Sequence, residues 1–200
     1  MIPMEGAAQS GLRLGVVMLC HTQMTIAARM ARHWTDAGAA LAVHIDRKVG
    51  PEGVAAFRAA LEGVPDVHYT PRRDCEWGMF GLVEATSDAA ATLLAEHPDV
   101  THVLLVSGAC LPLRPVADLC AYLAFDPGRD HIESVTAADV GWTVGGLNEE
   151  RFTLHFPFSW RRRRRLFDRY VKLQRRFGLR RKIPQGITPH LGSQWWCLTR

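Results

Sequence analysis

The chain has 200 residues, of which 48% are hydrophobic, enough for a buried core and too many for a disordered chain. The formal charge is +4, but Arg161–Lys182 alone carries 12 of the 24 basic residues and one acid; subtracting its +11 leaves the remainder at −7. No apolar run approaches the roughly 20 residues that a membrane-spanning helix requires, and five cysteines at wide spacings, with no C-x-x-C pair, argue against a zinc site and for reduced thiols.

In chain order, residues 1–13 read as a flexible lead. Leu14–Cys20 is apolar throughout and predicts a strand covered on both faces. A helix follows with Met24, Ala27, Met30, Ala31 and Trp34 on one face and Gly38 as its stop. Leu41–Asp46 predicts a second strand ending on a carboxylate, Pro51–Leu61 a helix opened by proline, and Val67–Thr70 a third strand. An alanine-rich helix spans Phe80–His97, and His102–Ser107 is a fourth strand. Pro115 opens another helix to Leu123, and His131–Val135 is a fifth strand candidate. Beyond it, Gly141, Gly145 and Gly146 mark a loop, residues 160–182 predict a basic amphipathic helix, and Trp195–Thr199 closes the chain as a strand. This alternation predicts one α/β domain over 1–200, with a mostly parallel, Rossmann-like sheet and helices on both faces. The stop at Arg200, straight after a strand, suggests that the domain continues.

In such sheets ligands bind beyond the carboxyl ends of the strands. Cys20-His21, Asp46-Arg47-Lys48 and Ser107-Gly108-Ala109-Cys110 fall there. The sequence has no G-x-G-x-x-G, no P-loop, no G-x-S-x-G and no H-E-x-x-H, which disfavours dinucleotide enzymes, P-loop NTPases, serine hydrolases and zincins. D-x-D is absent too; Asp74-Cys75-Glu76 is its nearest variant. Asp46 has two readings: a ligand to a nucleotide, or a cap of its own turn paired with Lys48. His21 reads as a satisfied strand-end histidine ahead of a catalytic base, and Cys110 as a small packed residue ahead of a nucleophile.

Five blocks in order resemble the core-2/I-branching glycosyltransferases, a family that includes peptide O-xylosyltransferases. They are Leu19-Cys20-His21, His44-Ile45-Asp46-Arg47-Lys48, Trp77-Gly78 with Leu82-Val83-Glu84-Ala85, Leu105 through Leu113 around Ser107-Gly108, and Gly192-Ser193-Gln194-Trp195-Trp196-Cys197-Leu198-Thr199-Arg200. The resemblance implies a GT-A-like fold and an inverting, metal-independent transfer of GlcNAc or xylose from a UDP-sugar to a hydroxyl of a glycan or glycoconjugate, with no cofactor. It implies nucleotide-sugar contacts at Leu19, His21, Asp46, Asp74, Trp77, Ser107 and Gly108, and acceptor contacts at Glu133, Arg151, Trp195 and Trp196. The family's acidic base and diphosphate-neutralising cations follow the last block, so no catalytic residue is identified within 1–200 and this stretch alone is expected to be inactive.

The basic segment has its own readings. Leu166, Tyr170, Leu173 and Phe177 recur at helical spacing with arginines around them. A solvated helix is one reading; a peripheral contact of Arg161–Lys182 with an anionic membrane surface is the other, and the alternative function is a membrane-binding module without catalysis. Nucleic acid is disfavoured by the acidic remainder. The expected location is the cytoplasm or the inner face of a membrane.

Overall fold

β1 (Leu14–Cys20) is buried at every position, as its unbroken apolar run requires. The computed structural model describes residues 11–136, 139, 149–159 and 161–200. The glycine loop expected around 141–146 and the first ten residues, read from sequence as part of a flexible lead, lie outside the described residues. Arg13, the last residue of that lead, is tied down: its guanidinium pairs with Asp66 and Asp99, and its backbone bonds Thr101.

β1 leads to α1 (Met24–Asp36), which Gly38 terminates at φ 86, a left-handed conformation that glycine adopts without strain. β2 (Ala40–Ile45) follows, then α2 (Pro51–Ala60), with proline in its first turn and Glu52 beside the N-terminal dipole. β3 (Val67–Tyr69), α3 (Phe80–Glu96), β4 (His102–Ser107), α4 (Val116–Phe125) and the short β5 (His131–Ile132) come next. α5 (Glu150–Thr153), α6 (Arg164–Phe177) and β6 (Trp196–Thr199) complete the order.

The six strands form one sheet in the order β3-β2-β1-β4-β6-β5. β3, β2, β1 and β4 are parallel; β6 is antiparallel to both β4 and β5. Strand alternation divides the core in two. Val16, Met18, Leu41, Val43 and Ile45 pack with α1, with Phe57 of α2 and with Val116 and Leu123 of α4. Val17, Leu19, Ala42, Val103 and Leu105 pack on the opposite face against Ala85, Ala89 and Leu93 of α3. This is the expected α/β, GT-A-like class, mostly parallel with helices on both faces.

Chain packing separates two compact units, Met1–Ile132 with Gln194–Arg200, and Glu133–Ser193. The first contains the sheet and α1–α4. There, Thr199 donates from its backbone and its hydroxyl to one oxygen of Asp130 (2.7 and 2.8 Å), which holds that carboxyl below its usual range. Arg200 donates to the carbonyls of Leu94, His97 and Pro98, satisfying the C-terminal end of α3. The Leu-Thr-Arg ending is thus a structural clasp.

The second unit contains α5 and α6. Gln174 is fully buried and clamps the backbone of His155, accepting from its N–H (2.8 Å) and donating to its carbonyl (3.0 Å). Phe156 stacks on Phe167 with ring centres 5.2 Å apart, and Phe158 meets Tyr170 at 5.6 Å. Glu150 accepts from Arg175 and Arg180. Val135 pairs with Leu191 in a single bridge.

Two expectations need correction. The fifth strand stops at Ile132 instead of reaching Val135, because Val135 takes its backbone bonds from Leu191 rather than from β6. The basic helix covers 164–177 and not 160–182. Its inner face is Phe167, Tyr170, Val171 and Gln174, while Leu166, Leu173 and Phe177 of the expected apolar face are exposed. Hydropathy could not find that face, since its most buried member is a glutamine.

Candidate functional site

The carboxyl ends of β1, β2 and β4 stand level. Leu19 is opposite His44 on one side and Ser107 on the other. Beyond the ladder, the Asp46 N–H donates to the Cys20 carbonyl (2.8 Å) and the Gly108 N–H to the Leu19 carbonyl (2.9 Å). Three of the sequence-predicted groups are therefore brought to one edge by strand register alone.

Asp46 organises this edge. It is 2% exposed. One carboxylate oxygen accepts from the Lys48 N–H (2.8 Å), the other from the Cys75 N–H (3.1 Å), and the Lys48 ammonium lies 3.6 Å away. Lys48 in turn donates to the Cys75 carbonyl (2.8 Å) and pairs with Asp74 at 2.9 Å. The Asp74 hydrogen bond is the main reason the Lys48 ammonium holds its proton more tightly than usual. Asp46 is thus a carboxylate turned inward, caging the loop from Arg72 to Trp77 across 29 residues of chain.

The same loop has three further anchors. Arg72 donates to the carbonyls of Ile45, Asp46, Arg47 and Val49, wrapping the turn after β2. The Arg73 guanidinium pairs with Asp88 (2.6 Å) and Glu84 (3.3 Å) on α3, and the Arg73 backbone N–H donates to Nε2 of His44 (2.9 Å). Burial pushes the His44 imidazole below its ordinary pKa, so it accepts as a neutral ring. A Cβ on Gly81 would come within 2.8 Å of the Asp74 carbonyl, so the first turn of α3 presses directly on the loop. Sequence reasoning named Lys48 only as a partner of Asp46 and missed Arg72 and Arg73; the Arg72-Arg73-Asp74 run placed just after a strand end was the available signal.

The remaining residues expected on the nucleotide side divide by exposure. Leu19 is buried in the core against α3. Ser107 accepts from the Ala109 N–H (3.3 Å) and contacts the Cys110 sulfur (3.2 Å), closing its own turn. A Cβ on Gly108 would fall 2.7 Å from that of Ala27 and 3.1 Å from the Cys20 sulfur, so glycine there serves the approach of α1. His21 and Asp74 are exposed, and Trp77 is 60% exposed. These three face solvent at an edge whose framework is rigidly bonded. Asp74 presents a carboxylate suited to N–H or O–H donors, and Trp77 presents an aromatic surface.

Of the residues expected on the acceptor side, Trp196 packs inward against the α3 face of the sheet while Trp195 is 42% exposed, the alternation expected on a strand. The antiparallel pairing of Leu104 with Cys197 sets the start of β6 toward the Ser107 end of β4. Glu133 is exposed and Arg151 half-buried, both in the second unit. Among the described residues, no three His, Cys, Asp or Glu side chains are grouped closely enough to hold a metal ion; the Asp74 carboxylate of the D-x-D-like triplet is engaged by Lys48.

No curated protein matches the chain. The model of the Core-2/I-Branching enzyme family matches residues 17–200, the stretch that contains the whole sheet apart from the first residues of β1, and the chain belongs to this family of glycosyltransferases.

Proposed function

We infer that the protein is an inverting, metal-independent transferase that moves GlcNAc, or xylose, from a UDP-sugar to a hydroxyl of a glycan or glycoconjugate acceptor. The observation that supports this most is the pinned Arg72–Trp77 loop at the level ends of β1, β2 and β4, in a chain matched to the family over 17–200. Open α/β sheets bind nucleotides at such edges. In this reading Asp46 does not touch the nucleotide. It fixes the loop so that Asp74 and Trp77, with His21 at the end of β1, meet the uridine. Leu19, Ser107 and Gly108 shape the floor. Trp195 offers its ring face to a sugar, and Glu133 and Arg151 hydrogen-bond the acceptor.

The reaction is one in-line displacement. The acceptor oxygen forms a bond to the anomeric carbon as the bond from that carbon to the diphosphate oxygen breaks, inverting the centre. The acceptor proton passes to a carboxylate base, and the electron pair leaves with UDP. The sequence has no D-x-D, so neutralisation of the departing diphosphate falls to cationic side chains in this proposal. No residue within 1–200 is assigned as the base.

The test is titration of the chain with UDP, UDP-GlcNAc and UDP-xylose, followed by tryptophan fluorescence. Saturable quenching is expected, and Trp77→Ala is expected to remove most of it. Absence of saturable binding to every uridine ligand by the folded chain sinks the proposal.

A further inference from the structure

We propose that α6 seats on an anionic lipid surface, with its outward apolar stripe in the interface and its flanking cations on the headgroups. The inner face of the helix is fully committed within its own unit: Gln174 clamps His155, and Phe167 and Tyr170 pack on Phe156 and Phe158. That commitment turns a second apolar stripe outward. Leu166 (45% exposed), Leu173 (46%) and Phe177 (64%) sit at i, i+7 and i+11, one above another on the helix surface. Isolated exposed apolar residues are ordinary, but a continuous stripe on a highly charged helix is not.

The flanking charge identifies the occupant. Arg165, Arg169, Lys172 and Arg176 lie outside the buried face and make no ion pair among the described residues. A stripe of leucine and phenylalanine bordered by such cations matches the acyl–headgroup boundary of a membrane containing acidic lipid. A second copy of the helix would set like charges together, and nucleic acid offers nothing to cover the apolar stripe. The rest of the chain carries −7 against the +11 of Arg161–Lys182, so an acidic surface attracts this segment and repels the remainder, which orients the protein. No helix among the described residues is long and apolar enough to cross a membrane, so the contact is interfacial.

Co-sedimentation with vesicles of phosphatidylcholine alone, and of phosphatidylcholine with 30% phosphatidylglycerol, tests this. Binding is expected only with the anionic lipid, and it should weaken steeply between about 0.15 M and 1 M salt as screening shortens to about 3 Å. Arg165→Gln, Arg169→Gln, Lys172→Gln and Arg176→Gln together should weaken it by more than about a hundredfold, each cation near the surface contributing roughly fivefold. Leu166→Ser with Leu173→Ser and Phe177→Ser changes only exposed side chains, keeps every charge, and should weaken binding at least tenfold. Circular dichroism confirms that both variants are folded. Equal binding to neutral and anionic vesicles overturns the proposal. So does unchanged binding of the serine variant, or a preference for duplex DNA over the anionic vesicles.

Discussion

Replacing Asp46 by asparagine separates a carboxylate that holds a loop from one that contacts ligand. Asp46 is 2% exposed and accepts two backbone N–H bonds, from Lys48 and from Cys75. Asparagine keeps one acceptor oxygen and turns an NH2 group toward the other donor. One charge-assisted bond is lost, worth about 1.5–3 kcal/mol when a buried donor is left unsatisfied. The Lys48 ammonium is half exposed and keeps its partners Asp74 and Cys75, so its loss of Asp46 adds little. The expected cost is about 2–3 kcal/mol, which for a chain of this size lowers Tm by roughly 5–10 °C. Thermal unfolding by circular dichroism reads the stability, and amide exchange at Cys75 reads the local effect, which should be a faster exchange in the variant. Uridine-nucleotide binding should fall only as far as the loop loosens. A D46N chain with unchanged Tm and unchanged Cys75 exchange, yet with no nucleotide binding, refutes the inward-facing role and returns Asp46 to direct ligand contact.

Other outcomes follow from packing and protonation. Gly108→Ala forces a methyl against Ala27 and the Cys20 sulfur and should cost about 1–3 kcal/mol in urea unfolding; a neutral result would show that α1 yields there. Burial pushes the Cys20 thiol up to about 12 and the Cys197 thiol up to about 11. At about pH 8 their thiolate fractions are about one in ten thousand and one in a thousand, so neither should react with iodoacetamide until the chain is unfolded. Mass spectrometry of labelled peptides checks this, and rapid native labelling of either would contradict it. His44 and His102 both have their pKa lowered by desolvation. The unfolded chain therefore binds more protons than the folded one between the lowered values and about 6.5, and stability rises with pH through that window. Tm should drop as pH falls below about 6.5, and less so in His44→Gln; a flat Tm from about pH 7.5 to 5.5 would refute this.

The sheet was legible because its signals are local. β1, β2 and β4 are apolar runs, and Gly38 and Pro51 punctuate the helices on either side of β2. The candidate site was legible as a location only, since polar residues at three strand ends must share one edge in a parallel sheet. The role of each residue was not. Whether Asp46 faces a ligand or the protein depends on Cys75, 29 residues away, whose approach is set by Arg72 and by the contact of Gly81 with Asp74. The face of α6 was misread for a similar reason. Its periodicity favours Leu166 and Leu173, but the buried seat is taken by Gln174, which a backbone clamp on His155 makes compatible with the interior. Thr199 and Arg200 stood within a recognisable motif, yet their work is to bind Asp130 and to finish α3.

The central claim is that a uridine nucleotide binds at the level ends of β1, β2 and β4, under the Arg72–Trp77 loop. Hydrogen exchange measured by mass spectrometry, with and without saturating UDP, tests it most directly. The account predicts slower exchange confined to peptides covering 19–23, 72–79 and 107–110. Protection elsewhere, or no protection at a UDP concentration shown to saturate the chain, contradicts it.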